Sequence, residues 1–85
     1  MIQEYVAAAL ARAKYEKIRD RRNPYFAKVP GLRGIWATGK TLEECRKNLL
    51  DVIDGWIAVR LRQGLRIPPL GKYRVEVPRE LKFGT

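Results

Sequence analysis

The sequence predicts an α+β domain in the order α-β-β-β-α-β, with a three- to four-stranded, mostly antiparallel sheet packed by helices. Three observations carry that prediction. A helix-start signature at Thr41 opens a long amphipathic segment that closes at Gly64. Short β-rich runs between residues 13 and 38 are separated by Pro, Gly and Asn turn chemistry. A small-residue helical pattern precedes them, and an alternating run before Pro78 follows the long helix.

Taken in order, Ile2, Val6 and Leu10 recur at helical spacing among Ala7, Ala8, Ala9, Ala11 and Ala13, which predicts a helix over 1–12. From Ala13 to Ile18 the charges mix through a pattern that places Ala13, Tyr15 and Lys17 on one face of a strand. Asp20-Arg21-Arg22-Asn23-Pro24 is a polar, proline-stiffened turn. Tyr25 to Val29 reads as the second strand of a hairpin, stopped by Pro30-Gly31, and Gly34 to Thr38 as a third strand. Strand alternation sets Trp36 and Thr38 opposite Ile35 and Ala37 and leaves open which pair faces inward.

In Thr41-Leu42-Glu43-Glu44 the threonine stands three residues before a glutamate, the capping-box arrangement that satisfies free backbone N–H groups at a helix start. Leu42, Cys45, Leu49, Val52, Ile53, Trp56 and Val59 form the expected apolar stripe of a helix over 41–63, flanked by Leu50, Ile57 and Leu61. Glu43, Arg46, Lys47, Asp51 and Asp54 take the other face, with acids early and Arg60, Arg62 and Arg66 late, complementing the helix dipole. Pro68-Pro69 forbids more helix, and residues 72–78 alternate as a last strand.

Composition then removes whole function classes. The 85 residues hold 18 Lys+Arg against 9 Asp+Glu, giving a formal charge of +9, with one Cys and no His. One compact domain over 1–85 is the limit, since a chain this short buries only about 60% of its unfolded surface. Without histidine there is no Ser-His-Asp or Cys-His nucleophile and no His-ligated zinc. Cys45 alone makes neither an internal disulfide nor a four-ligand metal centre. No run approaches the roughly 18 consecutive apolar residues of a membrane span, and Met1 to Leu10 lacks a basic leader. The expectation is a cytoplasmic protein with no membrane association.

Three segments in fixed order carry a family resemblance: Tyr25-Phe26-Ala27-Lys28-Val29-Pro30-Gly31-Leu32, then Gly34-Ile35-Trp36-Ala37-Thr38-Gly39, then Thr41-Leu42-Glu43-Glu44-Cys45 with its long helix. Together with the opening Glu4-Tyr5, the Ala13-Lys14-Tyr15-Glu16 run and the segment near Ile67-Pro68, they resemble the HicB family. The likeness is to its compact members without a C-terminal DNA-binding module, because the 15 residues after Leu70 read as a strand and tail. The resemblance implies a partial ribonuclease-H-like fold and an antitoxin role. Such a protein neutralises a HicA-like toxin, a small mRNA-cleaving protein, by covering its active surface. Two departures stand out: the hairpin turn is basic where relatives carry an acidic-glycine pair, and +9 contrasts with the acidic character usual for the family.

Ribonuclease-H-like catalysis needs clustered carboxylates holding two metals. Glu16, Asp20, Asp51 and Asp54 do not read as such a cluster, and Glu43, Glu44, Asp51 and Asp54 serve as helix-start charges and partners for Arg46 or Lys47. The expectation is a binding protein with no catalytic residue, cofactor or metal, using Tyr25, Arg33 and Trp36 as partner anchors, since Trp and Arg dominate interface energetics. The alternative is a stand-alone RNA-binding module that uses Arg19, Arg21, Arg22, Arg60, Arg62 and Arg66. Basic excess sits at both ends of the chain: residues 1–23 carry 6 basic and 3 acidic groups, and 60–85 carry 7 and 2. If the last strand lay beside the first, those ends would merge into one basic surface. An open sheet edge and a thin core further predict a homodimer or homotetramer.

Overall fold

The computed structural model describes residues 2–72. Its elements are α1 (Ile2–Arg12), β1 (Lys14–Lys17), β2 (Tyr25–Lys28), β3 (Trp36–Gly39) and α2 (Leu42–Gln63), an α+β architecture. The strands form one antiparallel sheet in the order β1-β2-β3, with Tyr15 opposite Ala27 and Ala27 opposite Ala37. The strands are shorter than the sequence pattern suggests: Ala13 and Ile18 fall outside β1, Val29 outside β2, and β3 starts at Trp36, two residues after Gly34. The last strand expected at 72–78 lies outside the described residues, apart from Lys72, which is in a turn.

Local chemistry fixes the ends of α2. The extended Thr41 accepts a hydrogen bond on its hydroxyl from the Glu44 N–H at 3.0 Å. Gly64 takes the left-handed conformation (φ 68°), which lets its own N–H reach the last carbonyls and the Leu65 N–H reach Arg60 O at 2.8 Å. Between those caps the buried row is Cys45, Leu49, Ile53 and Ile57, a strict four-residue step. This corrects the expected stripe. Leu42, Val52 and Val59 are exposed at 51%, 38% and 48%, and Ile57, expected at the margin, is central. A four-residue row drifts slowly around a helix, so it stays against one partner layer over about three turns, whereas Val52 and Val59 lie to one side of it and Leu42 is the first residue of the helix. Likewise α1 buries Tyr5, Val6 and Ala9, while Ile2 is exposed.

The helix α2 covers one face of the sheet, and α1 packs against α2. Ala27 and Ala37 are buried on the face that α2 covers, and the Cys45 thiol donates to Ala37 O at 3.6 Å. Small residues at the sheet surface bring α2 close, and Gly39 brings it closest. The chain after α2 returns along α1, where the Tyr5 hydroxyl donates to Pro68 O and Ile67 and Leu70 join the core.

Burial pushes the thiol of Cys45 above its ordinary 9.0 and the phenols of Tyr5 and Tyr15 above 10.0; Arg60 and Arg46 respectively oppose the tyrosine shifts. The folded chain therefore keeps protons that the unfolded chain releases between those ordinary values and the raised ones. Stability is full below about pH 9 and falls as pH rises through the folded values. Thermal melts should give a lower Tm at pH 10.5 than at pH 8. A flat profile would contradict this burial.

Candidate functional site

The sheet has a second face that no described element covers. Alternation sends Lys14 and Glu16 of β1, Phe26 and Lys28 of β2, and Trp36 and Thr38 of β3 to it, as the register confirms: Lys14, Lys28 and Trp36 form one cross-strand row and Glu16, Phe26 and Thr38 the next. At the centre Phe26 and Trp36 stack with ring centroids 6.0 Å apart and planes 24° from parallel. Trp36 stays 56% exposed.

The segment between β2 and β3 explains why. Val29, Leu32 and Ile35 are all buried, three residues apart. Two tight turns connect them, with Leu32 N–H on Val29 O at 3.0 Å and Ile35 N–H on Leu32 O at 3.4 Å. Each turn has a left-handed glycine at its third position, Gly31 (φ 93°) and Gly34 (φ 78°), where a side chain would be strained. Arg33 occupies the exposed corner of the second turn, and Ile35 pointing inward forces Trp36 outward. Arg33, Trp36, Phe26, Lys14 and Lys28 thereby line one shallow depression.

Of the three expected anchors, the structure brings together Arg33 and Trp36. Tyr25 belongs to the other face: it is half-buried against the core, with the Lys17 ammonium 5.5 Å from its ring centroid. Lys14 and Lys28 carry no signal of their own in the sequence, and Phe26 joins Trp36 as its same-face neighbour through the hairpin register.

The expected arginine set divides. Arg19, Arg21 and Arg22 lie at the β1–β2 hairpin, whose tip is tightened by Asp20 accepting from the Arg22 and Asn23 N–H groups at 2.9 and 3.0 Å. Lys17, Tyr25 and Gly39 share the sheet end that this hairpin extends, and α2 starts three residues beyond Gly39. Arg60 and Arg62 are in the last turn of α2, about 27 Å along the helix from its start. The two basic groups thus occupy opposite ends of the described residues. Arg60 is also engaged internally, its Nε donating to Arg66 O at 2.7 Å and its guanidinium lying 5.2 Å from the Trp56 ring centroid.

Among the described residues no three His, Cys, Asp or Glu side chains are grouped to hold a metal ion. None of the described helices is long and apolar enough to cross a membrane.

A family model described as UPF0150-like matches residues 4–68. The chain belongs to the UPF0150-like family. This UPF0150-like chain is similar to TTHA0281 from Thermus thermophilus, whose crystal structure superposes with a TM-score of 0.86 at 44% sequence identity, covering 92% of this chain and 95% of that one. No curated protein matches the chain. The UPF0150-like match spans the three strands, α2 and most of α1, so the Arg33–Trp36 depression lies wholly within it.

Proposed function

We propose that this protein is an antitoxin of the HicA/HicB kind, a non-catalytic cytoplasmic binding protein that neutralises an mRNA-cleaving HicA-like toxin by covering its active surface. The observation that carries the reading is the exposed Trp36, held over Phe26 and beside Arg33 on a sheet face free of any described helix. An exposed tryptophan with a neighbouring arginine is the composition of an interface hot spot. The motif likeness to HicB supports the same reading, and β1, an edge strand among the described residues, suits a homodimer or homotetramer.

Charge gives the complex a recognisable signature. A chain at +9 repels a basic RNA-binding toxin at long range, so the affinity resides in short-range packing at Trp36 and Arg33. Raising salt from about 50 to about 300 mM screens that repulsion and should speed association. The test is co-expression with the short reading frame neighbouring this gene, followed by co-purification, light scattering and association kinetics across salt. A stoichiometric complex that forms faster at higher salt supports the proposal. Absence of any complex would overturn it for that pair.

A further inference from the structure

The same sheet face has a second property that the antitoxin reading does not use. Its aromatic pair is bordered by Lys14 and Lys28, in the same cross-strand row as Trp36, and by Arg33 at the rim, with Glu16 as the acid that alternates onto it. Three cations to one carboxylate, on a chain of +9, make this face complementary to a polyanion. Its centre, however, is two flat rings with the larger 56% exposed. A polyanion that also presents flat rings is a nucleic acid, and its rings are available for stacking only when unpaired.

We propose that this face binds single-stranded nucleic acid, with one base stacked on Trp36 over Phe26 and the flanking phosphates on Lys14, Lys28 and Arg33. The two turns at Pro30-Gly31 and Arg33-Gly34 place the Arg33 side of the depression rigidly, because Val29, Leu32 and Ile35 anchor that segment in the core. Along β2 the strand path leads from Lys28 to the hairpin at Asn23, about 17 Å away, so the backbone of a short oligonucleotide that crosses the rings arrives at Arg19, Arg21 and Arg22. Arg60, Arg62 and Arg66 lie at the other end of α2 and take no part. Binding is a property of the chain by itself. Since Trp36 and Arg33 also anchor the proposed toxin contact, toxin and oligonucleotide exclude one another.

The test uses the full chain without any partner and a fluorescein-labelled uridine 12-mer, read by anisotropy at about 50 and about 200 mM salt. Trp36→Ala, which alters an exposed side chain, should weaken binding about 10-fold, and Trp36→Phe should restore most of it, because any aromatic face stacks on a base. A Lys28→Ala/Arg33→Ala double variant removes two phosphate contacts and should flatten the log–log salt slope by about 1.4. A base-paired RNA duplex of the same length should bind more weakly than the single strand. In a Trp56→Phe background the emission of Trp36 should be quenched on titration. Equal affinity of wild type and Trp36→Ala, or equal affinity for duplex and single strand, would overturn the proposal and leave non-specific attraction by a +9 polycation. Rejection here leaves the toxin complex untouched, and loss of the toxin complex leaves this titration untouched.

Discussion

Gly39→Ala is expected to destabilise the domain by about 3 kcal/mol or more, lowering Tm by roughly 12–24 °C for a domain of this size. A Cβ added at Gly39 would sit 2.4 Å from Cys45 N, 2.7 Å from its Cα and 3.0 Å from the Glu44 carbonyl carbon. All three are backbone atoms, so no flexible side chain can give way. Only Lys40 and Thr41 separate β3 from α2, which leaves the helix no slack with which to lift off the sheet. Moving it would open the contacts of Cys45 and Leu49 with the sheet and strain the Thr41 cap. The cause is space and not backbone conformation, since the φ of Gly39 is not positive. Gly55→Ala is the internal control. No atom lies within 4 Å of a Cβ there, and alanine in a helix interior stabilises by about 1 kcal/mol over glycine. Thermal melts of the two variants should therefore shift in opposite directions; equal shifts would contradict the close approach of α2 to β3.

Tyr5→Ala is the second large effect, about 3–5 kcal/mol, the range for removing a buried aromatic ring. Tyr5 is fully buried, and its hydroxyl ties the returning chain at Pro68 to α1. Tyr5→Phe separates the two roles: it keeps the ring and leaves Pro68 O without its donor, at about 1–3 kcal/mol. Hydrogen exchange should show the phenylalanine variant loosening first around Ile67–Leu70, while Leu49 and Ile53 stay protected. If Tyr5→Phe matched Tyr5→Ala in cost, the ring would carry none of the packing assigned to it.

What could be read from the residues was what local chemistry decides. The span of α2 follows from Thr41, Glu44 and Gly64, three residues whose hydrogen bonds act within one turn. Proline and glycine placed the turns for the same reason. What could not be read depends on contacts between elements. Cys45, Leu49, Ile53 and Ile57 beat Leu42, Val52 and Val59 for the core because of where the sheet and α1 lie, and both rows are apolar at helical spacing. Strand alternation alone allows Trp36 either face, and the shared burial of Ile35, Leu32 and Val29 decides it. Tyr25 parted from Arg33 and Trp36 because a strand residue next to Phe26 must face the other way. The arginines of the hairpin and of the α2 C-terminus were drawn apart by a helix that starts at one end of the sheet and carries its last turn far from it.

The most direct test of the antitoxin account is a growth assay in cells arrested by the neighbouring short reading frame, supplied in trans with wild type or with the Arg33→Ala/Trp36→Ala double variant. Both substitutions are on exposed side chains, so the variant should melt within a few degrees of wild type. Wild type is expected to restore growth and the folded double variant to fail. A double variant that rescues as well as wild type would move the toxin contact off this face, and a wild-type protein that neither binds nor rescues would contradict the antitoxin reading for that pair.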